Sequence, residues 1–450
     1  MRITNREQLL SRGDREARAH LLDVLETAVD AVDPYRCVKD AVSLEGDVLS
    51  VRGKEYPFFL FDRVLVVGAG KASKRMAEAL DEVLGDRITA GMVNFLSEGS
   101  VGRIRLHRST HPHPGRDGME GALEIRRMCE DATERALIIC LISGGGSAMM
   151  PCPAEGITLE EKGKTAQLLM LGGARIDELN VVRRHLSCLK GGNLARLAYP
   201  ATVLSLIVSD VVRDPLESIS SGPTAPDPTT YDDALAVLTK YGLLEEVPRS
   251  VAEHLKNAEN ENPKPGDKIF DKVNNVIIAS NRIALLAAEK KARDLGYSTT
   301  VLTSSLEGES REVGRAFSAL GNGIAKTSIP IPPPALVIAG GETTVTVKGR
   351  GKGGRNCELV LSALQDLDEG VAVLSFGTDG IDGSSGAGGA MGDGGDWKDD
   401  APAFLENNDS ASYFEREGGL IVTGPTGTNV GDVVLVMASR RRTSSNGDAY

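Results

Sequence analysis

The chain has 450 residues, of which 41% are hydrophobic and 25% are charged, and its formal net charge is −12. A chain of this length exceeds one hydrophobic core, so we expect two domains of ordinary size. The acidic balance argues against a nucleic-acid partner, which needs a basic face. An anionic substrate must therefore meet a local cluster of Lys and Arg, or a metal.

The sequence shows no sign of export or of a membrane span. The N-terminal residues lack the apolar segment of a secretory signal, and no stretch reaches the roughly 18 apolar residues of a transmembrane helix. The cysteines contain no Cys-x-x-Cys pair and are Cys37, Cys129, Cys140, Cys152, Cys188 and Cys357. We therefore expect reduced thiols in a cytoplasmic protein.

The first glycine-rich loop follows a predicted strand over residues 61–67 and leads into a helix over residues 75–84. Gly68 and Gly70 match part of a dinucleotide-binding fingerprint, but its third glycine is missing. Lys71 stands where phosphate-binding loops place a point charge. The competing interpretation of Lys71 is a solvated residue in the first turn of a helix.

A second glycine-rich loop follows seven consecutive apolar residues at 136–142, where we predict a central parallel strand. Glycines let bare backbone approach a ligand, and successive N–H groups at the carboxyl end of a strand are typical of an anion site. The alternative is a strand-to-helix turn that binds nothing. The loop consists of Ser143, Gly144, Gly145, Gly146 and Ser147.

Cationic side chains follow a helix that is predicted over residues 158–171 with capping-box spacing at its start. Arg183, Arg184 and Lys190 are suited to hold a carboxylate or phosphates. The competing interpretation is a helix surface with ordinary salt bridges.

An acidic residue follows the next buried strand, which we predict over residues 201–208. Asp210 lies at the carboxyl end of this strand, the usual place for a residue that orients the divalent ion of a nucleotide. The alternative role for Asp210 is a helix N-cap. Ser221 adds a hydroxyl in a further glycine turn.

The polar stretch at 257–267 contains two prolines and no apolar period, so we place a domain boundary near it. Units of strand, glycine loop and helix occur on both sides of this stretch, which predicts two α/β domains. The predicted domains are residues 1–256 and 268–438, and residues 439–450 are expected to be a disordered tail. Predicted elements outside the glycine loops include helices over 14–31, 281–295 and 357–367 and strands over 90–95, 273–280, 298–302, 335–339, 371–376 and 432–437.

The second half carries its own cations and acids beside glycines. Lys352 and Arg355 lie in a glycine-rich loop, which favours contact with phosphate oxygens. This loop lacks the Gly-Lys-Ser/Thr triplet of a Walker motif. Asp379 follows the strand predicted at 371–376.

Six motifs occur in the order SGGGSA at Ser143, NVVRRHLSCLKGG at Asn180, SDVVRDPLESISSGPT at Ser209, GGETTVTVKGRGKGGRN at Gly340, GTDGIDG at Gly377 and GPTGTNVGD at Gly424. In this order the motifs resemble the glycerate 2-kinase family with its MOFRL C-terminal domain, over roughly residues 14–437. The resemblance implies an N-terminal Rossmann-like three-layer sandwich, a C-terminal MOFRL-type α/β domain and an active site in the interdomain cleft.

The resemblance also implies phosphorylation of D-glycerate at its 2-hydroxyl, with ATP and Mg²⁺ as cofactors. The family's lysine falls on Lys71 and its arginine on Arg355, and both are expected to act in catalysis. Asp210 and Asp379 are expected to divide the roles of metal ligand and general base, in an order left open. Beyond the loops above, the substrate- and nucleotide-binding residues are expected to include Asn180, Arg183, Lys190, Ser221, Glu342, Lys352, Asn356, Asp382, Thr426 and Asn429.

Two other functions compete with the kinase. An NAD(P)H-dependent hydroxypyruvate reductase would need the missing third glycine, and Asn94 stands where a ribose-binding acid is expected. A non-catalytic binding protein of the same fold is the other alternative. The expected partners are glycerate and ATP, and the oligomeric state stays open, with a homodimer as one option.

Overall fold

A computed structural model describes residues 1–257 and 260–439. The tail predicted to be disordered lies, except for Ser439, outside the described residues. The helices are α1 (Arg6–Leu9), α2 (Arg15–Asp30), α3 (Pro34–Ala41), α4 (Ser73–Leu84), α5 (Arg116–Glu130), α6 (Gly146–Met149), α7 (Leu159–Leu171), α8 (Ile176–His185), α9 (Asn193–Ala198), α10 (Tyr231–Lys240), α11 (Arg249–Asn257), α12 (Asn281–Asp294), α13 (Ser310–Thr327), α14 (Arg355–Leu364), α15 (Ala401–Glu406) and α16 (Ser410–Glu417).

The strands form three sheets. They are β1 (Val42–Glu45), β2 (Val48–Val51), β3 (Lys54–Pro57), β4 (Arg63–Ala69), β5 (Ala90–Phe95), β6 (Gly99–Val101), β7 (Ile104–Arg108), β8 (Ala136–Ile142), β9 (Thr202–Val208), β10 (Val273–Ala279), β11 (Ser298–Leu306), β12 (Ala335–Gly341), β13 (Val371–Gly377), β14 (Gly389–Asp393), β15 (Leu420–Ile421) and β16 (Asp432–Ala438).

The chain divides into two compact units. We call Pro34–Ile278 the inserted unit, and Met1–Asp33 together with the chain from Ala279 onward the terminal unit. This division differs from the predicted domains 1–256 and 268–438 at both ends, because the first residues belong to the terminal unit and the segment after residue 256 belongs to the inserted one.

The inserted unit is built on a seven-stranded sheet in the order β10-β9-β8-β4-β5-β7-β6. Strands β4, β5, β7, β8 and β9 pair in parallel, whereas β6 is antiparallel to β7. After β4 the chain adds β5 and β7 on one side and then returns to add β8 on the other. The strand order therefore reverses between β4 and β8, and a reversal of this kind opens a crevice at the carboxyl ends of the strands.

Both faces of this sheet are covered. Every residue of β8 is buried, as the predicted central strand requires. Ile138 and Cys140 join a core cluster with Ile125 of α5 and Leu194 of α9, whereas Ile139 points to the opposite face and is also fully buried. The apolar run thus forms the buried parallel strand that the sequence predicts, with the predicted bounds.

The terminal unit contains a mixed six-stranded sheet in the order β11-β12-β16-β13-β14-β15. Strands β11 and β12 are parallel, and β16 is antiparallel to both of its neighbours, β12 and β13. All residues of β12, β13 and β16 are buried. The α/β class predicted for both halves is confirmed.

The N-terminal helices belong to the terminal unit because a buried cation ties them to it. Arg18 of α2 is 1% exposed, and its Nε donates to Asp393 Oδ2 at 3.0 Å while Nη2 donates to Asp396. The Nδ1 atom of His20 lies 2.8 Å from the hydroxyl of Tyr297, just after α12. Helix periodicity predicted α2 itself but carried no information on its partners.

The stretch predicted as a linker is partly built into the inserted unit. The amide of Asn262, 3% exposed, donates to Asp227 at 2.9 Å and accepts from Asn193 at 2.8 Å. Residues 258 and 259 lie outside the described part of the chain. The composition of this stretch, which is polar and contains two prolines, did not predict that Asn262 would have buried hydrogen-bond partners.

The cysteine prediction is wrong for one pair. Cys152 and Cys188 form a disulfide, with Cα atoms 5.7 Å apart, whereas the other four cysteines are free and buried. Within the described residues, no helix combines the length and the apolar composition needed to traverse a bilayer.

Candidate functional site

Three loops of the inserted unit meet at the carboxyl ends of adjacent strands. Ala69 of β4 pairs with Ile142 of β8, and Ile142 pairs with Ile207 of β9. The loops that carry Lys71, the glycines after Ser143, and Asp210 therefore start side by side, at the point where the strand order reverses. This is where open α/β sheets bind ligands.

Hydrogen bonds hold these loops against one another. The backbone N–H of Lys71 donates to the carbonyl of Gly144 at 2.9 Å, and Ser143 Oγ accepts from the next amide at 3.1 Å. Ser147 Oγ lies 2.6 Å from Ser221 Oγ. The structure thus brings together Lys71, the Ser143 loop and Ser221, and their roles in binding and catalysis stay a prediction. Gly68 and Gly70 pack directly on the backbone of Leu141 and on Ser143, which leaves no room for a Cβ.

Two glycines of the Ser143 loop allow charged and polar groups to approach closely. A Cβ on Gly144 would lie 2.2 Å from Asp210 Oδ2, so the carboxylate sits directly over the loop backbone. Gly145 has φ +83° and faces the ring of His111. Among the described residues, no group accepts a hydrogen bond from the amides of Gly144 and Gly145. These two N–H groups are available to an anion.

A cavity of about 880 Å³ opens beside this loop. One face of α7 forms a wall of the cavity, because Leu159, Lys162, Gly163, Ala166 and Met170 recur at helical spacing. The other lining residues that matter chemically are Gly145, Ser147, His111, Arg183 and Lys190. Four predicted site residues, Gly145, Ser147, Arg183 and Lys190, thus line one cavity.

Three cations face this cavity. Lys190 is 2% exposed, and among the described residues its Nζ donates only to the carbonyl of Met150, at 3.5 Å. Burial and then the charge of Arg183 lower the pKa of Lys190 to about 7. Burial, followed by the charges of Lys190 and Arg183, lowers the pKa of Lys162 well below its usual value. Within the described residues, no carboxylate pairs with Lys162, Arg183 or Lys190.

The mouth of the cavity carries further charged groups. Arg116 and Glu160 form an exposed ion pair at 3.3 Å. Burial, then the charges of Lys71 and His113, lower the pKa of His111. His111 and His113 are exposed and line the cavity at its mouth.

Two neighbouring polar residues on α8 stand apart from this cluster. The Nε atom of Arg184 lies 3.0 Å from Asp227 Oδ1, with both side chains buried, and the guanidinium also donates to the carbonyl of Glu217. Arg184 therefore has the structural role that the salt-bridge interpretation assigned to it. Asn180 is buried on the same helix and is not among the residues that line the cavity.

In the terminal unit, Arg355 at the start of α14 is held by two carboxylates. Its Nε and Nη2 donate to Asp432 at 2.6 and 2.9 Å, and its Nη1 donates to Glu342 at 2.7 Å. Burial raises the pKa of Asp432 to about 6, although the hydrogen bond from Arg355 acts to lower it. Burial alone would lower the pKa of Arg355, but the hydrogen bond and charge of Asp432, with Glu342 and Asp382, raise it. Two of its five N–H donors remain for a ligand.

Asp382 and Asn356 hold the beginning of α14 in place. The carboxylate of Asp382 accepts from the amides of Asn356 at 3.0 Å and Cys357 at 2.9 Å, which satisfies the helix N-terminus. The side chain of Asn356 donates to Asp382 and Asp432. Both predicted binding residues are about 1% exposed. Their observed contacts are structural, and their direct contact with substrate stays a prediction.

The remaining predicted residues of this unit lie in turns. Asp379 Oδ1 accepts from Ile381 N at 3.0 Å, and the hydroxyl of Thr426 donates to the carbonyl of Thr378 at 2.5 Å. Asn429 accepts from the amide of Gly431 at 3.1 Å. The backbone of Lys352 is fixed by Asp409 at 2.8 Å. None of these contacts tests a role in binding.

Sequence reasoning missed three residues of these clusters. Lys162 belongs to a helix that was predicted, but its face could not be assigned without the neighbouring elements. His111 was not assigned to the site. Asp432 ends one of the quoted motifs and begins a predicted strand, but it was given no role in the site. The signal that could have found Lys162 is the recurrence of small and apolar residues around it at helical spacing.

Comparison with known proteins gives consistent results. A domain of unknown function, DUF4147, matches residues 20–256, and the MOFRL family matches residues 335–432. A glycerate 2-kinase from Pyrococcus horikoshii is 38% identical over 430 residues, which cover 94% of this chain and 97% of that protein. The crystal structure of a glycerate kinase from Thermotoga maritima superposes with a TM-score of 0.84 at 37% identity, covering 93% of this chain and 99% of that one. A putative hydroxypyruvate reductase from Agrobacterium vitis is 38% identical and covers 83% of this chain and 87% of that protein.

Proposed function

The chain belongs to the glycerate 2-kinase family, and from that premise we propose that it transfers the γ-phosphoryl group of ATP to the 2-hydroxyl of D-glycerate. One observation on the chain itself supports the proposal most directly. Three cations without a carboxylate partner in the described residues face one cavity beside the Ser143 loop: Lys190 is buried, and Lys162 and Arg183 are half-buried. Cations removed from water in this way favour a ligand that supplies the counter-charge. Phosphates and a carboxylate are ligands of that kind.

Phosphoryl transfer depends on positioning and charge neutralisation more than on covalent chemistry. In the proposed reaction Lys71 neutralises charge on the transferring phosphoryl group. Its side chain is exposed, and its backbone N–H donates to the carbonyl of Gly144. The ammonium group therefore starts from the edge of the Ser143 loop, which carries the free amides of Gly144 and Gly145. Those amides bind anionic oxygens in the same step.

The donor chemistry fits Mg²⁺. This ion is usually held by one or two carboxylates together with the phosphates of the substrate, so it needs no cage built from protein alone. Within the part of the chain that the structure describes, no cluster of three His, Cys, Asp or Glu side chains is found, so the proposed ion would depend on oxygens from the substrates. Asp210, placed against Gly144, or Asp379 would hold the ion, and the other carboxylate would serve as general base. When bound, Mg²⁺ would neutralise phosphate charge.

Arg355 keeps a proposed role in binding an anionic group of the substrates. Its guanidinium is oriented by Asp432 and Glu342, so little side-chain freedom is lost when it binds a ligand. Its side chain is 31% exposed, and the two donors not used by these carboxylates remain for contact with an anion.

The reductase alternative is weakened by Asn94. Its amide is fully buried and donates to the carbonyls of Gly118 at 2.8 Å and Met149 at 2.7 Å. A residue used in this way is not available to the ribose hydroxyls of a nicotinamide cofactor. Reduction of hydroxypyruvate, suggested by the name of one relative, is therefore a second candidate function with less structural support than the kinase.

The test is a coupled assay of ADP release with D-glycerate, followed by phosphorus NMR of the product. We expect ADP release that requires glycerate and a product with phosphate on C2. Phosphate on C3 would correct the regiochemistry, and an absence of ADP release would overturn the kinase. A parallel fluorescence titration with NADH and ATP, in which only NADH bound, would favour the reductase.

A further inference from the structure

The cavity beside α7 has two chemically different halves. Lys162, Arg183 and Lys190 form the cationic half, next to Ser147 of the glycine loop. Further along α7, Ala166 and Met170 form an apolar wall, and Met170 is 51% exposed at the mouth. With a rise of 1.5 Å per residue, the distance along the helix axis from residue 162 to residue 170 is about 12 Å.

The charge of the cationic half distinguishes between the two substrates. A glycerate molecule carries a single carboxylate, which offers two oxygens to the three side chains of Lys162, Arg183 and Lys190. A polyphosphate chain carries several negative charges on neighbouring oxygens and can contact all three cations at once. An unpaired buried cation such as Lys190 destabilises the protein, and Lys162 and Arg183 beside it are half-buried, so the multiply charged ligand matches this site better.

The size of the cavity leads to the same ligand. Its volume of about 880 Å³ lies within the range of about 300–1,000 Å³ that is typical for drug-sized ligands. A three-carbon acid would leave most of this space to water. A ligand with polar charge at one end and a flat apolar ring at the other would use both halves.

We propose that this cavity is the nucleotide site, with the polyphosphate against Lys162, Arg183 and Lys190 and the base against Ala166 and Met170. This proposal rests on the proposed kinase function and deepens it, because it places ATP rather than glycerate in the inserted unit. It also assigns a phosphate-binding role to Lys162, which contacts the carbonyl of Leu186 at 2.8 Å and has no carboxylate partner among the described residues.

The test uses the full chain and two variants, Lys162→Met and Met170→Ala. Binding of ADP and of inorganic tripolyphosphate is measured by titration calorimetry, since tripolyphosphate shares the charge but lacks the base. We expect Lys162→Met to raise the dissociation constants of both ligands at least tenfold, because a hydrogen bond to a charged group is lost. Met170→Ala should raise that of ADP about threefold or more and leave that of tripolyphosphate within twofold.

The matched control is Lys164→Met. Lys164 lies two residues further along α7, is exposed and does not line the cavity, so its loss removes the same charge without the contact. We expect all dissociation constants to stay within twofold of the wild type. Met170→Ala keeps the proposal testable if Lys162→Met does not fold, because half of the Met170 side chain is already in solvent.

Kinetics separate this proposal from the proposed function. The proposal predicts that Lys162→Met raises KM for ATP at least tenfold and changes KM for glycerate less than twofold. The opposite pattern, or unchanged ADP binding in both variants, would overturn the nucleotide site while leaving the kinase in place. Conversely, a wild type that binds ADP through Lys162 but never phosphorylates glycerate would keep the nucleotide site and refute the function.

Discussion

Replacing Lys190 by methionine should stabilise the protein while harming its function. The side chain is 2% exposed, and its pKa falls from 10.5 to about 7 through burial and the charge of Arg183. This lowering of the pKa corresponds to about 5 kcal/mol of unfavourable free energy for the charged form in the folded protein. Methionine keeps the apolar length of the lysine and removes the charge.

The expected gain depends on pH in a defined direction. Between pH 7 and pH 10.5 the unfolded chain binds a proton at Lys190 that the folded chain has lost, so wild-type stability rises with pH over this range. Below pH 7 the group is protonated in both states and the penalty is complete. The advantage of Lys190→Met in free energy of unfolding should therefore be about 2–5 kcal/mol at pH 6 and shrink steadily towards pH 10.

Denaturant unfolding of ligand-free protein at several pH values measures this difference, because the contributions of groups that do not interact with Lys190 cancel between the two proteins. Lys164→Met is the control and should change the free energy of unfolding by less than about 0.5 kcal/mol, since this side chain is exposed. A Lys190→Met protein that is less stable than the wild type at pH 6, or an advantage that does not change with pH, would refute the reasoning.

Four further changes test other parts of the structure. Lys71→Met should lower turnover at least ~100-fold in the coupled assay and leave the unfolding midpoint unchanged, because the side chain is exposed; near-normal turnover would remove Lys71 from catalysis. Arg355→Ala should cost about 3 kcal/mol of stability because it leaves Asp432 buried without its cation, and adding Asp432→Asn should restore part of the loss; an unaltered unfolding curve for the single variant would contradict the pair. Thr158→Ala should cost about 1 kcal/mol in denaturant unfolding because it removes the cap of α7, a result that a neutral variant would disprove. Arg18→Met should cost about 3 kcal/mol and speed amide hydrogen exchange in α2, and unchanged exchange there would contradict the docking of this helix.

Local pattern was sufficient for the elements whose burial is uniform. Strand β8 has the predicted bounds because its seven apolar residues are too few for a typical helix and are followed at once by a glycine-rich loop. The capping box predicted for α7 is present, with Thr158 and Glu161 bonded reciprocally. Strand β4 begins two residues later than predicted, at Arg63, and extends to Ala69. Its glycine lies within the strand, where pattern reasoning expected the loop to have begun.

The site was only partly predictable because its contacts join distant parts of the chain. Arg183 and Lys190 were identified from their charge, but the role of Lys162 depends on which face of α7 the neighbouring elements leave open. Arg355 was also identified, whereas its partner Asp432 lies 77 residues further along the chain. A single sequence does not show which acid is brought to that arginine by the pairing of strands.

The ion pairs of Arg18 also affect how the protein is made. This arginine is synthesised 375 residues before Asp393, so its carboxylate partners do not exist during most of translation. The inserted unit, by contrast, is complete at Ile278 and can close its core while the ribosome is still working. Arg18 of α2 therefore cannot form these ion pairs until Asp393 and Asp396, in the last third of the polypeptide, have been synthesised.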